Sequence, residues 1–231
     1  FPEAPSDETA LARATAAAVG VPHDVLPFDV DPAVLLQTLI AQSGELLADS
    51  SWLAMAALCR AVSPQATVLL TGDGGDEVLL GYRRHRAARF AAMVPAFMHP
   101  LGRAAAAACR SREWRKRWVT FSGSPREVFA DLAGLAPWSS FSHWLLPDVA
   151  RREDPLLGLA ARVPSQSDAA ADAGRIDLLT YLPGDLLPKA DRGAMASGVE
   201  TRAPFLDDEV VALGLSMPGT VRASAFAGKL P

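Results

Sequence analysis

Three carboxylates crowd one glycine-rich stretch of this chain: Asp73, Asp76 and Glu77, within Thr71-Gly72-Asp73-Gly74-Gly75-Asp76-Glu77. The residues leading into it, Thr67-Val68-Leu69-Leu70-Thr71, are β-branched and aliphatic and read as a buried strand. The glycines allow a tight turn and the close approach of a ligand. A segment with apolar residues at Val78, Leu79, Tyr82, Ala87 and Phe90 then reads as a helix. Strand, glycine turn and helix start form a common phosphate setting, because free N–H groups and the helix dipole face the anion. Acids placed this close would repel a bare polyphosphate. A hard divalent cation removes the conflict, since Mg²⁺ binds one or two carboxylates together with phosphate oxygens and water. The pattern thus reads as a magnesium–nucleotide corner at the carboxyl end of a parallel strand. The plainer alternative is a solvated acidic turn, with Asp73 bonding its own backbone and Glu77 capping the helix.

The same stretch, continued by Val78-Leu79-Leu80-Gly81-Tyr82, resembles the Ser-Gly-(Glu/Asp)-Gly-x-Asp-Glu-(Leu/Val)-Phe-x-Gly-Tyr signature of the asparagine synthase family. A second block runs from Tyr181-Leu182-Pro183 through Lys189, Asp191, Arg192 and Met195, then Glu200-Thr201-Arg202-Ala203-Pro204-Phe205-Leu206-Asp207. It is similar to that family's Tyr-Leu-Pro-x-Asp-x-Leu-x-Lys-x-Asp-Arg-x-Ser-Met-Ala … Glu-x-Arg-x-Pro-Phe-Leu-Asp run. A weaker third block, Glu45 to Ser51, is similar to Glu-Pro-x-x-Asp-x-Ser, with Leu46 where proline is usual.

The resemblance implies a synthetase domain that binds ATP and aspartate and adenylates the aspartate side chain. Ammonia, normally drawn from glutamine in a separate N-terminal glutaminase domain, then attacks to give asparagine, AMP and pyrophosphate. Magnesium and fixed N–H donors would stabilise the charge that builds on the leaving pyrophosphate. By matched position Asp76 would ligate magnesium, and Thr71, Gly72 and Gly74 would lie against the nucleotide. Asp73 would stand near the acceptor carboxylate and the amine. Glu77, Asp191, Arg192, Glu200 and Arg202 are candidate substrate residues. The last four form two acid–base pairs, read either as a wall of the substrate cleft or as buried ion pairs that fix the helical half. Lys189 reads as structural, because the family's catalytic lysine lies beyond Pro231.

The implied fold is α/β, with part of a parallel sheet of the adenine-nucleotide α-hydrolase type followed by a mainly helical half. Residues 1–95 would carry the nucleotide and residues 96–231 would fold back over the site within the same domain. The family's Ser-Gly-Gly-x-Asp-Ser pyrophosphate loop does not occur in the sequence. The expectation is therefore an internal piece of a longer asparagine synthetase, which as a whole could form a homodimer and which alone turns over no substrate. Related chemistry stays open: a β-lactam synthetase, a lasso-peptide cyclase, another amidotransferase, or a non-catalytic scaffold of the same fold. Tyrosine in place of Asp73 would have favoured the β-lactam branch.

Half of the 231 residues are hydrophobic and the formal net charge is −4, the profile of an ordinary globular chain. Such a balance gives no global attraction to nucleic acid or to anionic membranes. No run of about eighteen apolar residues suggests a membrane span. Cys59 and Cys109 are too few and too far apart for a disulfide scaffold or a zinc site, and suit a reducing cytoplasm. Arg103, Arg110, Arg112, Arg115, Lys116 and Arg117, with Trp114 and Trp118, read as a solvated helix face rather than a nucleic-acid patch. His23, His85, His99 and His143 show no ligand spacing, and Ser139, Ser140 and Ser142 lack a nucleophile-elbow context.

Cap signals place the remaining elements. Ser6 can start a helix that Gly20 stops, and Val21 to Val30 reads as a short strand. Asp31-Pro32 starts a helix ending near Gly44, and Ser50 or Ser51 starts another through Val62. Further helices are expected near 78–93, 101–118, 125–133, 155–163, 168–182 and 208–216, with a capping box at Ser124-Pro125-Arg126-Glu127. Trp138 to Pro147 reads as an aromatic loop.

Overall fold

A computed structural model of the chain describes residues 8–26, 30–134, 144–145, 147–150, 154–166 and 168–224. They are mostly helical, with one small parallel sheet. Contacts divide the chain into two compact units: Phe1–Leu70 with Leu187–Arg202, and Thr71–Leu186 with Ala203–Pro231. No border falls near residue 95. Ser6, most of the Trp138–Pro147 stretch and the serines at 139, 140 and 142 lie outside the described residues.

In the first unit the caps act as the sequence suggests. The Asp31 carboxylate accepts from the backbone N–H of Ala33 at 2.8 Å and of Val34 at 3.4 Å, so α2 (Pro32–Ser43) starts with satisfied donors. It ends at Gly44, whose φ of 72° is cheap only for glycine, and α1 (Thr9–Val19) ends the same way at Gly20. Apolar residues three and four apart bring Leu35 and Leu39 of α2 against Trp52 and Ala56 of α3 (Ser51–Val62). Cys59 packs on Ala194 and Val199 in a second cluster.

The sheet consists of β1 (Val68–Leu70) and β2 (Glu200–Arg202), paired in parallel with Val68 opposite Glu200 and Leu70 opposite Arg202. The expected strand is shorter than Thr67–Thr71, and it is not buried. Val68 is 40% and Leu70 74% exposed, because two three-residue strands leave their outer face uncovered among the described residues. Residues 21–26 of the other expected strand are irregular, and residues 27–29 lie outside the described set. Pro22 supplies no ladder donor there.

In the second unit, two long expected helices each break. The 78–93 segment becomes α4 (Gly75–Val78) and α5 (Arg83–Ala91), and 101–118 becomes α6 (His99–Ala108) and α7 (Arg112–Val119). The first break follows from Leu80, fully buried at φ 57°, a left-handed conformation that costs a bulky residue about 1–2 kcal/mol. Its packing with Ala170 and Ala223 offsets that strain. Then come α8 (Pro125–Ala133), α9 (Pro147–Ala150), α10 (Pro155–Ala161) and α11 (Ala169–Leu179), followed by a π-helical turn over Leu182–Leu186. At α8 the Ser124 hydroxyl accepts from Glu127 N–H while Glu127 accepts from Ser124 N–H, the reciprocal box read from the sequence. Ala88, Phe129, Ala160, Val163, Ala173 and Ile176 form the main core of this unit. After α12 (Leu187–Met195) of the first unit, α13 (Asp208–Ser216) and α14 (Gly219–Arg222) complete the second. Among the described residues no helix is long and apolar enough to cross a membrane.

Candidate functional site

The acidic turn begins one residue after β1 and belongs wholly to the second unit. The Thr71 hydroxyl donates to Asp73 Oδ2 at 2.8 Å, which orients that half-buried carboxylate. Gly75 N–H donates to Gly72 O at 3.2 Å and closes the turn. Gly74 sits at φ 87°, and a Cβ there would overlap the Leu206 side chain. Gly75 lies against the Phe205 ring, so the Pro-Phe-Leu of the second block packs directly under the glycines of the first. Gly72 differs: no described atom lies within 4 Å of where its Cβ would be. Packing explains Gly74 and leaves the space beside Gly72 open.

Asp76 and Glu77 follow in α4, only four residues long. A helix this short gathers little macrodipole, so the expected dipole contribution at the turn is small. Asp76 is half-exposed, and its backbone carbonyl accepts from Gly81 N–H at 2.8 Å. Glu77 points inward. It is fully buried, and its Oε1 accepts from the Tyr82 hydroxyl at 2.9 Å, while its Oε2 has no hydrogen-bond partner among the described residues. Burial pushes the Glu77 carboxyl above the usual range, with Asp177 and Asp76 adding repulsion. Burial, then Glu77, pushes the Tyr82 phenol up as well, so Tyr82 remains a neutral donor.

Beneath the turn lies a buried charge network that the sequence reading missed. The Asp177 carboxylate, on α11, accepts from Arg84 Nε at 2.8 Å and from His85 Nε2 at 2.6 Å. Asp177 and His85 are fully buried. The Arg84 guanidinium stacks 3.9 Å from the Tyr82 ring and 4.8 Å from the Tyr181 ring, joining the network to both signature blocks. A signal did exist: Ala170, Ala173 and Asp177 share a helix face that is otherwise apolar, and an acid there needs a cation. Arg222, also buried, donates from Nη1 to Val78 O at 2.9 Å and holds the end of α4.

The remaining expected residues lie in the first unit. Arg202 Nε donates to Glu200 Oε1 at 2.8 Å, so that pair exists. Arg192 instead pairs with Glu45 at 2.5 Å, and Asp191 is exposed. None of the four is buried, which overturns the reading of buried ion pairs: strand β2 and the outer face of α12 leave their side chains in water. Lys189 lies 3.6 Å from Asp49, whose other oxygen accepts from the Ser51 N–H and hydroxyl. Burial opposes ionisation of Asp49, but the Ser51 hydrogen bonds and Lys189 outweigh it and hold the carboxyl low. The weakest sequence block, 45–51, is thus tied to the second block through two cations.

Against known families, residues 1–230 match the one described as asparagine synthase. The chain belongs to the asparagine synthase family. Proteins of Mycobacterium tuberculosis and Mycobacterium bovis, provisionally named asparagine synthetase (glutamine-hydrolyzing), are 29% identical to it over 246 aligned residues. That alignment covers 96% of this chain and 35% of each relative, so the chain spans about a third of their length. No solved structure matches it. As a member of the asparagine synthase family, the chain carries its signature acids in two environments: Asp73 and Asp76 reach solvent, whereas Glu77 faces the interior. Among the described residues no three His, Cys, Asp or Glu side chains are grouped to hold a metal. Two carboxylates on one turn nevertheless fit a hard cation that takes its other ligands from phosphate and water.

Proposed function

We propose that this chain forms part of an ATP-dependent asparagine synthetase, in which the turn 71–77 holds magnesium–ATP while the aspartate side chain is adenylated. Ammonia from glutamine, released in a glutaminase domain outside this chain, then forms the amide. The observation that carries the reading is the turn itself, in which two partly exposed acids, Asp73 and Asp76, follow a Gly72 whose missing side chain the described protein does not require. Asp76, with Asp73 beside it, would hold the ion. Magnesium, when bound, supplies charge neutralisation for the departing pyrophosphate. The chain's own residues perform the rest of the positioning. Thr71 orients Asp73 through its hydroxyl, the open face at Gly72 admits the phosphates, and the Glu77–Tyr82 bond fixes the inner side of the turn. Thr71, Gly72 and Gly74 are the nucleotide-binding positions in this proposal, within part of an adenine-nucleotide α-hydrolase sheet. Asp191, Arg192, Glu200 and Arg202 are retained as substrate candidates, and the cytoplasm as the working compartment.

The test uses the full-length protein with magnesium–ATP, aspartate and glutamine. AMP and pyrophosphate should appear only when aspartate is present, and Asp76→Asn should lower kcat/KM by about 10²-fold or more. Release driven by another carboxylate and not by aspartate would move the protein to a different amide synthesis. The 231-residue chain on its own should release no AMP, and clear turnover would overturn that part of the reading.

A further inference from the structure

Helices α5 and α7 enclose a cleft of about 640 Å³ that lies entirely within the second unit. Among the described residues, Arg83, Arg84, Arg86, Lys116 and Arg117 line it, against a single acid, Glu113. Arg84 is already committed to Asp177. Among the described residues Arg83, Lys116 and Arg117 form no ion pair, and all three are exposed. Arg117 is held 4.6 Å over the Trp114 ring, which orders its guanidinium without consuming its charge. Three cations without an ion-pair partner among the described residues, facing one concavity that holds a lone described acid, leave a net positive charge that an anion would neutralise.

The rest of the lining indicates what accompanies the anion. Phe90, Ala87 and Leu132 give the cleft apolar walls, and Phe90 is braced edge-on by Phe121, with ring centroids 5.4 Å apart. The volume suits a small organic molecule, since pockets for such ligands run from about 300 to 1,000 Å³. Arginine forks match phosphate oxygens two at a time, and three positive charges exceed what one carboxylate neutralises. The cations also form one compact group rather than the long stripe that tracks a nucleic-acid backbone.

We infer that the α5–α7 cleft is a second ligand site, which takes a small organic di- or triphosphate through Arg83, Lys116 and Arg117. It contains none of the carboxylates of the acidic turn and should work without a metal ion. Calorimetry in EDTA, which silences any magnesium-dependent binding at the turn, therefore isolates it. The probes are ADP and inorganic pyrophosphate, titrated into the protein at low and at high salt. ADP should bind more tightly than pyrophosphate, and both should weaken as salt rises. Combined Arg83→Ser, Lys116→Ser and Arg117→Ser substitution should weaken ADP binding at least tenfold with an unchanged circular dichroism spectrum, whereas Asp76→Asn leaves it unaltered. Should the triple variant not fold, Lys116→Ser and Arg117→Ser singly should each cost about threefold. The inference is overturned if neither probe binds, if substituted proteins bind like the parent, or if a single-stranded RNA oligomer binds more tightly than ADP.

Discussion

The acidic turn's inner network and the second signature block use the same chemistry of carboxylates and arginines in opposite surroundings. Around Asp177, Arg84 and His85 the pairs are buried, with Asp177 Oδ1 and His85 Nδ1 left without hydrogen-bond partners among the described residues. On β2, Arg202 and Glu200 pair in full solvent, and Arg192 with Glu45 in partial exposure. A buried charge that loses its partner cannot recover the hydration it gave up, whereas an exposed one simply exchanges a neighbour for water. The first kind of pair holds architecture. The second is free to meet a substrate.

The contrast is broken most directly at Asp177. Asp177→Ala leaves Arg84 and His85 without their carboxylate and should destabilise the protein by about 3–5 kcal/mol, read from the urea midpoint. An unshifted midpoint would show that the network holds nothing. Gly74→Ala comes next. The substitution forces a side chain into a left-handed backbone and into the space of Leu206, at a cost of about 2 kcal/mol. Gly72→Ala, where nothing described stands in the way, should leave the midpoint in place while lowering activity of the full-length protein. The two neighbouring glycines thereby separate packing from ligand access.

What the sequence made legible follows from this same division. Local signals were readable because they act between near neighbours: the Asp31 cap, the Gly44 stop and the Ser124–Glu127 box all appear where the residues indicate. The breaks at 79–82 and 109–111 were not, since helical periodicity continues across both and only the tertiary burial of Leu80 pays for its left-handed backbone. At the candidate site the motif gave the turn, but it could not separate Glu77 from Asp73 and Asp76. Which of three acids faces inward depends on Tyr82 and on a helix about a hundred residues away. Arg192 likewise found Glu45 rather than its sequence neighbour Asp191, because α12 lies beside the 45–51 segment.

A smaller effect sharpens the buried side. Tyr82→Phe removes the hydrogen bond from the phenol to the Glu77 carboxylate and should cost about 1–2 kcal/mol. Glu77 has its folded pKa raised, so its contribution is fully present below the ordinary glutamate range and is lost as pH rises through the folded value. Asp168 behaves in the opposite sense. Burial raises its pKa, but Arg89 and the N–H groups of Ala170 and Ala171 outweigh burial, so its contribution is lost as pH falls through its lowered value. Glu77→Gln copies the protonated form, and the gap between its urea midpoint and that of the parent should widen in its favour from about pH 5 to about pH 8. A gap that stays constant would mean that Glu77 is ionised in the folded protein throughout.

The smallest change in stability should come from the exposed pair, and it is also the most informative about function. Arg202→Ala and Glu200→Ala each remove a partner that water replaces, so neither should move the unfolding midpoint beyond experimental error. Their effect on the full-length protein is a separate quantity. Where the midpoint is unchanged, any fall in kcat/KM for aspartate must come from substrate and not from folding. A rise in KM with kcat intact would assign the pair to ground-state binding, and an equal fall in kcat and kcat/KM would assign it to the transition state. If both parameters stay at parental values, Arg202 and Glu200 leave the list of substrate residues. The pair would then be an ordinary same-face contact along a short strand.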